Sequence, residues 1–276
     1  MKNEHKEVRA IAINALGKIG DTEAIEPLIL RLKDSDNGVR LIAVQVLSKF
    51  GDNRAVEPLI SLLKDKDQNL VMAAADALVE FKDNRVIEPL ITILNDGDFH
   101  FGPAAARLLG KIKDDRVVDA LISVLKDHHK GSSTRSAVAR VLGEIMENQA
   151  VEPLIDILED NEDMNIQIIA VRALGKFKDK RAVEPLINLL EDIQGEDTQG
   201  DNIKNDIFSA SFNEELNKMV NEGKNNSRII LRAGAAEAMG EIKDKSAIKP
   251  LKAASKEHDY KISSKAAEAL EKLRSK

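Results

Sequence analysis

A four-residue motif, Glu-Pro-Leu-Ile or a close variant, recurs along the chain at a nearly constant spacing. In the fourth copy Ala120 stands where the proline is missing, so successive intervals are 31, 31, 31, 33, 32 and 65 residues. The last interval corresponds to two periods with one copy replaced. A fixed period of this length predicts a tandem array of helical repeats. The prolines are Pro27, Pro58, Pro89, Pro153, Pro185 and Pro250.

Each copy has the apolar pattern of a helical hairpin. In the second copy the apolar residues between Val39 and Phe50 recur at i, i+4, i+7, i+8 and i+11, which is one face of an amphipathic helix. A second helix follows, with the apolar residues between Val56 and Leu63 on its inner face. Pro58 is tolerated there because it lies in the first helical turn. Aligning all copies predicts eight first helices and seven second helices.

A column of mostly small residues runs through the first helices. The phrase Ala-Leu-Gly-Lys in this column could be taken for a phosphate-binding loop. Val79 occupies the same column, and a β-branched residue strongly disfavours a positive φ, so the position is expected to be helical and small for close packing. The column comprises Gly17, Ser48, Val79, Gly110, Gly143, Gly175, Gly240 and Glu271.

Two polar columns are also expected to be structural. Aspartates that lie four residues before a recurring arginine column can cap the first helices. The arginines can bond an aspartate of a neighbouring copy. The aspartates are Asp36, Asp67, Asp98, Asp163 and Asp259, and the arginines are Arg9, Arg40, Arg135 and Arg232.

Composition narrows the classes of function. The chain has 276 residues, no cysteine, no tryptophan and one tyrosine, which excludes a disulfide framework and a thiolate metal site and argues against base stacking. A net charge of −6 argues against broad contact with phosphates. The polar start of the chain shows no signal peptide, and no apolar run is long enough to cross a bilayer. We therefore expect a cytoplasmic protein without a membrane segment.

The segment from Asn37 to Ile60 resembles the HEAT-like repeat first named from phycobiliprotein (PBS) lyases, in its short form. The likeness covers nearly the whole chain except 192–228. It implies an all-α, right-handed α-solenoid (superhelix) of HEAT-like helical hairpins, with first helices on the convex side and second helices on the concave side. We therefore predict a single array over 1–276, with seven helix pairs and a final helix. The resemblance does not imply lyase activity, because such repeats serve unrelated tasks.

The outward positions of the second helices are the predicted binding surface. The residue before each proline is acidic in most copies, and the residue three positions after it is often small. Arginines three residues before these acids, such as Arg54 and Arg85, are expected to pair with them on the same helix. The predicted partner-binding residues on this surface are Glu57, Ser61, Glu88, Thr92, Asp119 and Ser123.

Places where the array departs from its period are further candidates for binding. The loop around 95–103 carries Phe99 and Phe101, and an insertion at 192–228 lies between the sixth and seventh pairs. Within it Phe208 and Phe212 belong to a predicted amphipathic helix, which either packs on the array or docks a partner. Histidines on two of the irregular loops lack metal-ligand spacing, so we expect no metal and no cofactor.

The sequence favours a non-catalytic scaffold whose partner is another protein or peptide. A phycobilin lyase-like or other enzyme-accessory role and a nucleic-acid-binding role stay open as alternatives, the second disfavoured by the net charge. Resemblance to deoxyhypusine hydroxylase would require His-Glu pairs, and the chain contains no such dipeptide. The apolar residues near the N-terminal end, Val8 and Ile11, suggest self-association through that end.

Overall fold

The protein is helical throughout the part described by its computed structural model, which covers residues 5–96, 101–159, 163–191 and 210–274, with side chains from 226 onward in the last range. These residues contain α-helices and short 3₁₀ helices without strands, and the predicted all-α solenoid is confirmed. The helices follow one another as α1 (Lys6–Ile19) and α2 (Ile25–Arg31), α3 (Asn37–Phe50) and α4 (Val56–Leu62), α5 (Gln68–Glu80) and α6 (Ile87–Asp96), α7 (Phe101–Leu109) and α8 (Asp115–Lys126), α9 (Ser132–Ile145) and α10 (Val151–Glu159), α11 (Met164–Phe177) and α12 (Val183–Glu191), α13 (Ala210–Ile242) and α14 (Ile248–Ala254), and α15 (Tyr260–Arg274).

The chain divides into two compact units, 1–138 and 139–276. In the first unit the first helices α1, α3, α5 and α7 pack side by side, and each of α2, α4 and α6 packs on the first helix of the next copy. In the second unit α11, α13 and α15 pack in the same way, with α10, α12 and α14 against them. Each unit is thus a layer of first helices on a layer of second helices, with the core between them. The prediction of one array over 1–276 stays a prediction.

Aspartates cap the first helices as predicted. The Asp36 carboxylate accepts from the Val39 amide at 3.1 Å, and Asp163 accepts from the Asn165 amide at 2.8 Å. Asp67 and Asp259 do the same for α5 and α15. These bonds satisfy amides that have no partner within their own helix. Asp98 lies outside the described residues.

A 3₁₀ turn opens the second helix wherever the repeat proline is present, and the turn is absent where it is lost. Pro27 has no N–H, and its ring would clash with the carbonyl of Glu23, so Thr22–Ala24 forms a 3₁₀ helix before α2. The other proline-containing copies share this arrangement. In the fourth copy Ala120 can join the α-helical hydrogen bonding, and α8 is α-helical from Asp115. The lost proline therefore lengthens one α-helix by a turn.

Glycines in the small-residue column allow close approach between first helices. A Cβ added at Gly143 would lie 2.5 Å from the Ala173 Cβ, and one at Gly240 would lie 2.8 Å from the Ala269 Cα. Gly17 is similarly close to Val46, at 2.8 Å. These contacts agree with the predicted packing role of the column and leave no room for a phosphate loop.

The first helices commonly end on a residue with positive φ. Gly20 and Gly51 adopt φ of 73° and 65°, and Lys82, Met146, Lys178 and Lys243 adopt similar values without being glycine. A left-handed residue at this position turns the chain toward the second helix and satisfies the last carbonyls of the first. The turn geometry is thus the same whether or not glycine is present.

Helix α13 is 33 residues long, whereas α11 in the same unit has 14. It begins at Ala210 inside the predicted insertion and continues without a break into the first helix of the seventh pair. The insertion therefore does not form a separate helix there, as the amphipathic pattern suggested, but extends an existing one. No helix in the described ranges, α13 included, is both long and apolar enough to cross a membrane.

Candidate protein-binding surfaces

The predicted binding residues on three second helices lie together on one exposed face. Glu57 and Ser61 lie on α4, Glu88 and Thr92 on α6, and Asp119 and Ser123 on α8. All six are exposed, and all belong to the first unit. Helices α6 and α8 pack against each other. We call these six residues the second-helix surface.

Of the four predicted phenylalanines, Phe101 is the one whose side chain the structure describes, and it lies on a first helix and not on this surface. Phe101 is the first residue of α7, a first helix, and is half-buried. Phe99 and Phe208 lie outside the described residues. Phe212 lies within α13, in the part where only the backbone is described. Their role in binding stays a prediction.

The acidic row is linked between copies rather than within one helix. Arg116 donates to Glu88 of the preceding copy at 3.1 Å, and Arg181 donates to Glu152 at 2.8 Å. Arg85 bonds Glu57 in the same way, and Arg54 lies 3.9 Å from Glu26. The predicted pairing of Arg54, Arg85, Arg116 and Arg181 with the acid three residues later is therefore wrong.

Two features explain this pairing. Side chains on a helix tilt toward its N-terminus, so an arginine in the first turn points away from the acid three residues later. An aspartate two residues earlier then holds the guanidinium: Arg54 donates to Asp52 through Nε at 3.0 Å and Nη2 at 2.9 Å. The same carboxylate accepts from the Arg54 amide. The guanidinium is thereby presented to the preceding copy.

Each of these clusters contains two carboxylates and one guanidinium, so each retains a net negative charge. The hydrogen-bonded Arg54 guanidinium lowers the pKa of Asp52 to about 2. Arginine bonds likewise lower the pKa of Asp83, Asp114 and Asp179. These aspartates are therefore charged at neutral pH, and the second-helix surface is mildly acidic rather than neutral.

Two acids of the row lack this link. Gln149 and Ser246 occupy the arginine column in the copies that follow Asp119 and Glu184. Among the described residues, neither Asp119 nor Glu184 forms an ion pair, and both are exposed. Asp119 is therefore the carboxylate of the second-helix surface most available to a partner.

The side chains of Ser61 and Thr92 bond to their own helices and project little from the surface. The Ser61 hydroxyl donates to the Pro58 carbonyl at 2.6 Å, and the Thr92 hydroxyl donates to the Glu88 carbonyl at 3.0 Å. Both side chains lie back against their own helices and leave space above them. A partner segment can approach the helix backbones closely at these positions.

A second set of arginine bonds, buried or partly buried, fixes the first helices α1, α3 and α13 to the loop that follows their copy. Arg9 donates to both oxygens of Asp34, at 2.9 and 2.7 Å, and both side chains are almost fully buried. Arg40 with Asp65 and Arg232 with Glu257 repeat the arrangement. Arg135 instead donates to the Leu125 carbonyl. Arg9 and Arg40 thus bond an aspartate as predicted, but that aspartate lies in the loop after their own copy and not in a neighbouring copy.

The second unit contains a groove of about 930 Å³ that the sequence did not predict. It runs across the first helices α11, α13 and α15. Its floor is the α13 stripe from Ile230 to Glu241, which contains Gly234, and its sides carry basic residues. The other lining residues are Ile168, Val171, Arg172, Gly175, Lys176 and Lys178 on and after α11, and Tyr260, Lys261, Ser264 and Lys265 on α15.

The four histidines in the described ranges lie in or beside loops at separate points along the chain. His5 directly precedes α1, His128 and His129 lie between α8 and α9, and His258 precedes α15. Within the described ranges, no group of three or more His, Cys, Asp or Glu side chains could hold a metal ion. His100 lies outside those ranges.

Paired helices with one recurring pattern of caps, turns and inter-copy arginine bonds define an α-solenoid of helical repeats. The family model described as HEAT repeats matches residues 1–75, 25–101 and 103–164, and that described as PBS lyase HEAT-like repeat matches 166–192 and 231–257. The chain belongs to the HEAT-repeat family, and the resemblance to the PBS lyase HEAT-like repeat is confirmed.

Several solved structures are similar to the chain at low sequence identity. Human deoxyhypusine hydroxylase in complex with glycerol is 17% identical, with 99% of this chain and 92% of that chain covered and a TM-score of 0.42. The complex of CpcE and CpcF of phycocyanin lyase from Nostoc sp. PCC7120 is 23% identical, with 91% and 94% covered and a TM-score of 0.46. YibA of E. coli is 18% identical, with 100% and 99% covered and a TM-score of 0.43. These likenesses concern the fold alone. None of the curated proteins matches the chain significantly.

Proposed function

We propose that the protein is a non-catalytic HEAT-repeat scaffold that binds another protein through its second-helix surface. One observation carries the proposal. The three copies present the same exposed arrangement of an acid and a small hydroxyl residue, on helices that arginine bonds tie together. A surface that is regular and already ordered loses little conformational freedom when a partner binds.

The charge of this surface indicates the chemistry of the partner. Glu57 and Glu88 share their guanidinium groups with Asp83 and Asp114, and Asp119 has no ion pair among the described residues. A partner segment that carries Lys or Arg near Asp119 would gain the most. The same acidity disfavours a nucleic acid at this face, because phosphates would meet carboxylates.

A photo-crosslinking experiment tests the proposal. A photoreactive amino acid is placed in the full chain at Ser61, Thr92 or Ser123, and at Gln45, an exposed residue of the first helix α3, as the control. After irradiation in native lysate, we expect one and the same protein to be crosslinked from the three surface positions and not from Gln45. Equal capture from Gln45, or a different set of proteins from each position, would contradict the proposal.

Reversal of the charge at Asp119 distinguishes specific partner binding from non-specific crosslinking. Asp119→Lys should reduce the crosslinking at Ser123 strongly, because it places a cation where we expect the partner's own cation. Lys64→Glu, at an exposed position just after α4, serves as the control and should leave the crosslinking nearly unchanged. The enzyme-accessory alternative would be favoured if mixing the protein with a bilin changed the absorbance spectrum of the pigment.

A further inference from the structure

We propose that the groove between α11, α13 and α15 binds an acidic amphipathic helix from a partner protein. The groove lies in the second unit and on first helices, so it is separate from the second-helix surface. The proposal rests on the shape of the floor, the charge of the walls and the length of the groove.

Small side chains of α13 form much of the floor, and α11 approaches it closely: a Cβ added at Gly234 would lie 3.3 Å from Val171 Cγ1. Its lining residues Ile230, Ala233, Gly234, Glu237, Ala238 and Glu241 follow i, i+3, i+4, i+7, i+8 and i+11, which is one face of a helix. Gly234 aligns with positions that carry a side chain in every other copy: Ile11, Ile42, Ala73, Ala104, Ala137, Ile169 and Lys265. The seventh copy alone removes the side chain at this position.

The walls are basic in a chain that is acidic overall. Five lysines and arginines line the groove against two glutamates, whereas the whole chain has a net charge of −6. Both glutamates are already paired: Glu237 lies 3.5 Å from Lys265, and Glu241 lies 2.6 Å from Lys272. Within the described part of the chain, Arg172 and Lys176 on α11 form no ion pair and are exposed. Lys261 on the opposite wall is likewise exposed and without an ion pair among those residues.

The dimensions suit a short helix. The floor stripe from Ile230 to Glu241 spans 12 residues, which is about 18 Å or three helical turns at 1.5 Å per residue. A helix laid along it would place its apolar face on Ala233, Gly234 and Ala238, where small side chains permit close approach. Acidic residues on its two flanks would meet Arg172 and Lys176 on one wall and Lys261 on the other. The floor carries small apolar residues and two glutamates that are already paired with lysines, and it lies between basic walls. Such a groove suits an amphipathic helix with acidic edges.

The test uses a defined probe and the full chain. The probe is a fluorescein-labelled 16-residue helical peptide with Leu and Ala at i, i+3, i+4 and i+7 and Glu on both flanks. We expect saturable binding by fluorescence anisotropy, and we expect Arg172→Glu with Lys176→Glu to weaken it by about tenfold or more. The matched control, Lys245→Glu with Lys252→Glu, reverses two exposed charges near and on α14 and should change it by less than about twofold.

Methyl NMR locates the peptide. With ¹³C-labelled Ala and Ile methyls, binding should shift Ala233, Ala238 and Ile230 and leave Ala24 and Ala55 of the first unit unmoved. Absence of binding, equal binding of a peptide with Lys in place of Glu, or equal loss in both double variants would overturn the proposal. Duplex DNA that binds the groove as tightly as the acidic peptide would also overturn it.

Two other occupants are distinguished in the same experiments. The molecular mass of the protein without peptide is measured by analytical ultracentrifugation. If the double variant Arg172→Glu with Lys176→Glu has a lower mass than the unmodified protein, the groove holds a second copy and the proposal is wrong. If deleting residues 195–206 shifts the Ala233 and Ala238 methyls without peptide, the chain's own insertion fills the groove, and the proposal is likewise wrong.

Discussion

Individual side chains in this protein take their roles from their position in the repeat. Arg54 is exposed and part of a small turn, yet it joins Asp52 of its own copy and Glu26 of the preceding one. The residues with positive φ that end first helices are constrained too, in their case by the left-handed backbone conformation. The effect of a substitution at either kind of position on the free energy of unfolding should therefore depend on this local geometry.

We expect Gly51→Ala to lower the free energy of unfolding by about 1 kcal/mol, because its φ of 65° is unfavourable for a residue with a Cβ. No heavy atom lies within 4 Å of the added Cβ, so the effect is conformational and not steric. Lys82→Gly should have the opposite effect, since Lys82 holds the equivalent position with φ of 57°. Urea unfolding measures both. Gly131→Ala, in open space without positive φ, is the control and should not destabilise.

The Asp52 carboxyl should titrate well below an ordinary aspartate. Its pKa is lowered to about 2 by the bond from Arg54, so it contributes stability above the ordinary pKa and loses it as the pH falls from about 4 to about 2. Carboxyl ¹³C NMR checks the midpoint. In Arg54→Ala we expect it to return toward about 3.9. An unchanged midpoint in Arg54→Ala would show that the arginine is not the cause.

At the scale of the helices, the repeat proline decides how the second helix begins. We expect Ala120→Pro to fold normally and to convert the first turn of α8 from α to 3₁₀, as in the other copies. The free energy of unfolding should change by less than about 1 kcal/mol, because the fold accommodates proline at this column. Backbone chemical shifts of 115–117 report the turn. Ala74→Pro, in the middle of α5 and fully buried, should cost about 3 kcal/mol or more.

The helix pattern could be predicted from the sequence, whereas the pairing between copies could not. The apolar pattern from Val39 to Phe50 predicts the bounds of α3 to within two residues, because burial of one face imposes the helical period. The direction of Arg85 is different, since it depends on Asp83 holding the guanidinium in a short turn that the i, i+3 rule does not describe. Gly234 illustrates the same limit: its missing side chain matters only because α11 and α15 stand on either side.

At the largest scale, each copy of the first unit packs on its neighbours, so a perturbation in that unit should be transmitted over short distances only. We expect Leu28→Ala in the first copy and Leu90→Ala in the third each to cost about 2 to 5 kcal/mol, because both side chains are fully buried. The double variant should cost the sum within about 0.5 kcal/mol, because one copy separates the two sites.

Denaturant unfolding in sucrose, which favours the compact state, allows the double variant to be measured. Leu28→Ala with Leu59→Ala, in adjacent copies, is the comparison and should depart from the sum. Departure of the distant pair by more than about 1 kcal/mol would show that the copies of this unit are coupled over a longer range.

The arginine that reaches back to the preceding copy also bears on how such a chain can grow. Copies two and three each supply an arginine for the copy before and a glutamate for the copy after. A gene segment encoding one such copy can be duplicated in tandem, and each new junction then contains a complete ion pair without further mutation. Replacing the arginine in one copy releases an acid in the copy before it. Evolution can thus expose a carboxylate on an old surface by changing a residue elsewhere.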